Sequence, residues 1–362
     1  MSRRRASRRK AGLTPIRRLA IVGASAAVTA AVVLGLVLAW GLWTFYGPGP
    51  AARQGGETIV VLRRGAGVRE IASSLESAGV IGSSALFTAA AQVTGATGEL
   101  KAGEYRFASH ASLRQVLDDI RNGRVVRRFV TIPEGMTSEA VVEILNANPL
   151  LEGVVSAPPE GSVLPETYQI ERGDDRAAVL KRMMDAQEAS LAQLWAKRQP
   201  GLPFDTPEEA VTLASIVEKE TGVASERPRV AAVFVNRLRR GMRLESDPTI
   251  IYGLTRGRPL GRGIRASELA AATPYNTYLI DGLPPTPIAN PGRASLAAVL
   301  DPPKTDELFF VADGTGGHVF AKTYEEHLRN VAKWRALEKA KAAEAAGAAE
   351  AKAAPKAAPG GN

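Results

Sequence analysis

The chain has 362 residues, 45% of them apolar, enough for two domains with a sizeable core. It contains no cysteine, which excludes disulfides, a thiol nucleophile and any thiolate metal site. The net charge of +9 is local: Arg3, Arg4, Arg5, Arg8, Arg9, Lys10, Arg17 and Arg18 account for eight of the 46 basic residues, leaving 38 against 37 acids and no electrostatic footprint for DNA or RNA.

Residues 1–18 form a basic flank, and Leu19 to Ala52 carry no charge at all. A membrane-crossing helix needs roughly 20 apolar residues, which the stretch 19–46 exceeds. Trp40, Trp43, Phe45 and Tyr46 crowd its far end, where an aromatic belt meets lipid headgroups. The Arg-rich flank predicts a cytoplasmic N-terminus, with everything after Tyr46 outside. A cleaved signal peptide is the alternative. Its apolar core runs about 7–15 residues, and no convincing small-residue cleavage site precedes the aromatics, so an uncleaved anchor is expected. Gly47-Pro48-Gly49-Pro50 breaks the helix and opens a linker over 47–56.

An α+β unit is expected over 57–132. Thr58–Leu62 reads as a strand, and Val68, Ile71, Ala72 and Leu75 have helical spacing. Ser84–Val93 is a second helix, and Tyr105–Phe107 a short strand. Ser112 with Gln115 makes a capping box for a helix ending near Asn122. Val125–Ile132 reads as one further strand. Residues 133–335 become more helical, then loop-rich, as a mixed α/β domain. From 336 to 362 the chain turns Ala/Lys/Glu-rich, then Pro/Gly-rich, which predicts a helical extension and a disordered tail.

The segment from Thr206 to Thr221 is the most informative. Thr206 can N-cap, Pro207 suits the first helical position, and Glu209 completes a capping box. At helical spacing Ala210, Leu213, Ala214 and Val217 form an apolar arc. Glu218 and Glu220 border its opposite margins, and Lys219 points to solvent. A carboxyl held against apolar surface has its charged form disfavoured, which a general acid for a glycosidic oxygen requires. The alternative is two partly exposed helix glutamates, one paired with Arg227 or Arg229. Spacing does not choose between Glu218 and Glu220.

The run Leu213-Ala-Ser-Ile-Val-Glu-Lys-Glu-Thr221 resembles the signature of the endolytic murein transglycosylases (the MltG, YceG-like family). Ser225-Glu-Arg227, Val230–Leu238, Gly241–Gly253, Pro274–Tyr278, Gly282–Gly292, Phe309–Asp313 and Gly316–Phe320 follow in the family's order. Upstream, Lys101–Phe107, Pro133-Glu-Gly135 and Gly161–Tyr168 are also similar, so the resemblance covers roughly residues 57–335. It implies an α+β chain: one transmembrane helix, a LysM-like module at 57–132 and a catalytic domain at 133–335. It also implies Glu218 as the catalytic acid, cleaving MurNAc–GlcNAc bonds to leave 1,6-anhydroMurNAc ends.

The implied setting is the outer face of a bacterial plasma (inner) membrane. Peptidoglycan glycan strands are the substrate, and cell-wall synthases are further candidate partners. No metal or organic cofactor is implied, and the three histidines lack metal-ligand spacing. Tyr252, Tyr275, Asn276 and Tyr278 are candidate sugar contacts, with ordinary packing as the alternative for each Tyr. Asn236 either bonds substrate or caps a turn, and His318 is either a site or a structural residue. Glu245 stands where the family often has Gln, an added carboxylate of open role. Rival readings are a glycan-binding tether, a scaffold for wall synthases, and a metal-dependent hydrolase, which the histidine pattern disfavours.

Overall fold

The computed structural model describes residues 15–353, with side chains over 23–345. The basic cluster at 3–10 and the Pro/Gly-rich end lie outside the described residues. The chain divides into two compact units, Met1–Arg127 and Arg128–Asn362.

The first unit opens with helix α1 (Pro15–Tyr46), whose stretch Gly23–Tyr46 has mean hydropathy 2.1 and is long and apolar enough to cross a membrane. Strand β1 (Glu57–Leu62) pairs antiparallel with β2 (Gly103–Ala108). Helices α2 (Val68–Ser77) and α3 (Ser84–Val93) connect them, and α4 (Leu113–Asn122) follows. Period-two alternation buries Val60 and Leu62 and leaves Ile59 and Val61 exposed. The expected capping box is present: Ser112 Oγ accepts from the Gln115 amide, and Gln115 Oε1 from that of Ser112. Leu75, Phe87, Tyr105 and Ile120 centre the core, and Phe45 at the end of α1 packs against it.

The segment expected as a linker is hydrogen-bonded where it leaves α1. The Gly49 amide donates to His110 O, the His110 amide to Pro50 O, and the Ala52 amide to Ser109 Oγ. The strand expected over 125–132 is divided. Val125 bridges to Tyr105 in the first unit, while β3 (Arg128–Thr131) pairs antiparallel with β5 (Thr167–Ile170) in the second. Its apolar residues serve two cores: Val125 packs on the first, and Val130 and Ile132 lie in the second. Apolar alternation alone does not reveal such a division.

In the second unit α5 (Ser138–Ala147) is followed by β4 (Leu151–Glu152), which pairs parallel with β6 (Asp174–Asp175). Then come α6 (Arg176–Trp195), α7 (Pro207–Glu220), α8 (Arg227–Arg239), α9 (Asp247–Thr255), α10 (Ala266–Leu269) and α11 (Arg293–Leu300). Strands β7 (Phe309–Ala312) and β8 (His318–Ala321) form an antiparallel pair before α12 (Tyr324–Ala353). The expected start of α7 is present, with Thr206 Oγ1 accepting from the Glu209 amide and Glu209 Oε2 from that of Thr206.

Helix α7 departs from the amphipathic reading, because every residue from Ala210 to Val217 is buried. α6, α8, α9 and α11 all pack on it. Its polar residues are satisfied internally. Ser215 Oγ donates to Thr212 O at 2.7 Å and accepts from the Ile288 amide at 3.0 Å. The helix is thus a central rod whose C-terminal turn delivers Glu218 and Glu220. Replacing Thr206 with Ala should lower stability by about 1 kcal/mol, and Leu213→Ala, at a fully buried site, by roughly 2–5 kcal/mol. Denaturant unfolding of the detergent-solubilised chain measures both.

Candidate active site

Glu218 occupies the last turn of α7, where the helix dipole disfavours negative charge. Two groups offset this. The Gly292 amide, at the N-cap of α11, donates to Glu218 Oε2 at 2.9 Å. Arg227 Nη2, from the first turn of α8, donates to Oε1 at 3.2 Å. Only 4% of the Glu218 side chain and 14% of Arg227 is exposed, so this pair is shielded from bulk water far more than a surface ion pair.

Two loops close around it. In one, Arg227 Nη2 also donates to Glu134 Oε2 at 2.8 Å, and Lys219 Nζ reaches Gly135 O at 3.3 Å. Gly135 has φ +75°, a left-handed turn that glycine takes without strain, and a Cβ there would sit 3.5 Å from Glu218 Cγ. The other loop brings in Gly292, where a Cβ would lie 1.9 Å from Glu134 Oε1. A side chain at 292 would displace that carboxylate from its present position.

Asn290 fastens the two loops together. Its amide donates to Met136 O, its carbonyl accepts from the Gly135 amide, and its Oδ1 accepts from the Val163 amide. Its Nδ2 also reaches Ser138 Oγ and Glu160 Oε1, each at 3.2 Å. Glu160 further accepts from the Ser138 amide at 2.8 Å and from Tyr252 Oη at 3.2 Å. Burial pushes the Glu160 carboxyl up from its ordinary range, and these hydrogen bonds oppose the shift.

Glu220 points to a different environment. Its Oε1 accepts from Ser246 Oγ at 2.5 Å. Burial drives its pKa up to about 7; the Ser246 hydroxyl opposes, Asp247 adds, and His318 and Arg237 oppose. Tyr278 Oη donates to Asp247 Oδ1 at 2.8 Å, and Arg237 Nη1 to Glu245 Oε2 at 3.2 Å. His318 Nδ1 lies 2.7 Å from Glu226 Oε2, and its amide donates to Glu226 Oε1.

The structure therefore separates the residues singled out from sequence. Glu218 stands with Arg227, the alternative partner named from sequence, and with Glu134 and Gly292, which lie in the family-like segments Pro133–Gly135 and Gly282–Gly292 without a role assigned to them there. Glu245, Tyr278 and His318 gather around Glu220. Glu245 has φ +51°, an uncommon conformation for a side-chain-bearing residue. Tyr252 meets Tyr275 edge-on at 5.1 Å, with the Arg256 guanidinium 5.8 Å from each ring. Tyr252 and Arg256 line a cavity of about 710 Å³ together with Ser138 and Glu160. The Asn236 and Asn276 amides serve the fold itself: Asn236 Nδ2 donates to Thr305 O and Glu307 O, and Asn276 Nδ2 to Leu269 O and Ala271 O. The sequence signal for the amide at Glu218 is the family-like segment Gly282–Gly292, which Gly292 closes.

The raised pKa of Glu220 makes stability depend on pH. The folded chain holds this proton between about 4.5, the unfolded value, and about 7, the folded one. The stabilisation is complete below the first value and lost as pH rises through the second. Melting curves of wild type and Glu220→Gln should therefore converge near pH 4.5 and separate in the variant's favour towards pH 7. A difference that stays constant with pH would show a solvated carboxyl.

The YceG-like family model matches residues 60–333. The endolytic murein transglycosylase of Streptococcus pneumoniae is 30% identical over 324 residues, covering 76% of this chain and 58% of the relative. The chain thus spans less than two thirds of that protein's length. The endolytic murein transglycosylase of Bacillus subtilis is 29% identical over 302 residues, covering 75% of this chain and 82% of the relative. A crystal structure of a yceG-like protein from Listeria monocytogenes has 27% identity and a TM-score of 0.48, covering 76% of this chain and 98% of that one. With the family's pattern running through both compact units and across every loop that closes on Glu218, the chain belongs to the YceG-like family.

Proposed function

We propose that this protein is an endolytic lytic transglycosylase that cuts peptidoglycan glycan strands, with Glu218 as its acid and base. The observation that carries this is the enclosure of one carboxyl, 4% exposed, in the last turn of α7, with an amide and an arginine in reach of the carboxylate that acts as base. Protonated Glu218 donates to the glycosidic oxygen between MurNAc and GlcNAc as the C1–O bond breaks. The resulting carboxylate takes the proton of the MurNAc C6 hydroxyl, whose oxygen bonds to C1. A 1,6-anhydro end forms, the proton is back on Glu218, and no water is consumed. One carboxyl serving twice needs no second carboxylate as nucleophile. The cavity lined by Ser138, Glu160, Tyr252 and Arg256 suits a sugar ring, which bonds to polar rims.

We read α1 as an uncleaved single-pass anchor in the plasma membrane, N-terminus inside. Phe45 packs into the core of the first unit and Arg114 lies 5.2 Å above the Tyr46 ring. A signal sequence destined for removal has no need of such contacts. The order β1–α2–α3–β2 supports a LysM-like module, which holds the catalytic domain close to newly made glycan and makes the enzyme a terminator of growing strands.

Glu220 is the second reading for the acid, favoured by its pKa of about 7. Digestion of purified glycan strands followed by mass spectrometry decides. Products should carry 1,6-anhydro ends; reducing ends would overturn the lytic mechanism. Glu218→Gln should lower the rate on the order of 10²–10⁴-fold while Glu220→Gln keeps most activity, and the reverse pattern would exchange the two residues.

A further inference from the structure

Glu134 takes no part in the proton cycle just described, yet it shares a cation with Glu218. A single nitrogen, Arg227 Nη2, donates at 2.8 Å to Glu134 and at 3.2 Å to Glu218. Nε of the same guanidinium is buried without a hydrogen-bond partner among the described residues. A guanidinium pairs best with a carboxylate through two parallel bonds. Here each carboxylate receives one, from the same atom, and a donor is left over. The arrangement lies midway between two complete pairs, one with Glu218 and one with Glu134.

The proton cycle supplies a reason for such sharing. Glu218 must be neutral before the glycosidic bond breaks and charged after it. Beside a fixed, enclosed Arg227, each neutralisation would leave an uncompensated buried cation, which is costly. Glu134 removes that cost. Its side chain is 40% exposed, so solvent as well as Arg227 meets its carboxylate. The missing side chain at Gly292 leaves the space its carboxylate occupies. The other charged groups nearby are differently engaged: Lys219 reaches Gly135 O, Glu226 holds His318, and Glu220 faces Ser246. From α11 only the uncharged Gly292 amide meets Glu218.

We infer that Glu134 is a positioning residue that takes over Arg227 when Glu218 is protonated and returns it when Glu218 is charged. The inference rests on the transglycosylase reading above. Its test uses the full chain in detergent or nanodiscs on uncrosslinked glycan strands, with kcat, KM and melting temperature measured across pH. Glu134→Gln should lower kcat on the order of 10–100-fold, leave KM within about twofold, and keep the wild-type melting temperature. The alkaline limb of its activity profile should move to lower pH, because Arg227 then has only the Glu218 carboxylate to face. Glu134→Asp should restore most of kcat and the position of that limb.

A Glu134→Gln enzyme with wild-type kcat and profile would overturn the inference. So would a loss of activity with an unmoved limb that Asp does not repair. If the unaltered chain forms no anhydro ends, the transglycosylase reading falls and this inference with it; if it forms them, the Glu134 variants judge the inference alone.

Discussion

A carboxylate in the last turn of a buried helix meets both the negative end of the dipole and the loss of water, and both penalise its charge. Glu218 bears these penalties together, so the parts of the second unit that surround it are those that offset them. Arg227 enters from the start of α8 and the Gly292 amide from the start of α11. Asn290 joins the loops that carry Gly135 and Gly292 through backbone and side-chain bonds at once. A small error in any of these elements would leave a buried charge without its partner.

The same helix ends in a second carboxyl with the opposite solution. Glu220 is two residues on, roughly 200° around the axis, and it meets Ser246 rather than an arginine. Burial there pushes the carboxyl up to about 7, whereas Glu218 is met by the Arg227 guanidinium and the Gly292 amide. Glu245, Tyr278 and His318 belong to this second setting. Their hydrogen bonds tie them to Arg237, Asp247 and Glu226, so they bear on the shape and charge of the far side of α7.

The first unit shows a comparable economy at the end of α1. A Gly-Pro-Gly-Pro segment is ordinarily a flexible break. Here its amides and carbonyls bond to the turn at 108–111, and Phe45 adds its ring to the core. On the anchor reading, this coupling transmits the position of the membrane helix directly to the folded unit.

Local interactions were legible in the sequence wherever they set structure by themselves. The caps at Ser112 and Thr206, the Pro at the start of α7, the alternation in β1 and the long apolar run each depend on residues a few positions apart. Spacing on α7 also narrowed the chemistry to Glu218 and Glu220, and family resemblance favoured the first. The full burial of α7, the division of 125–132 between two cores, and the assembly of Glu134, Arg227 and Gly292 were decided only in three dimensions. Arg227 is nine residues from Glu218, Gly292 is 74 and Glu134 lies 93 from Arg227. A periodicity reports which face a residue occupies, and the partner waiting at that face is chosen by the packing of distant segments. That is why the sequence determined which carboxyls were available, and only the tertiary structure determined which one is met by a cation and which one by a hydroxyl.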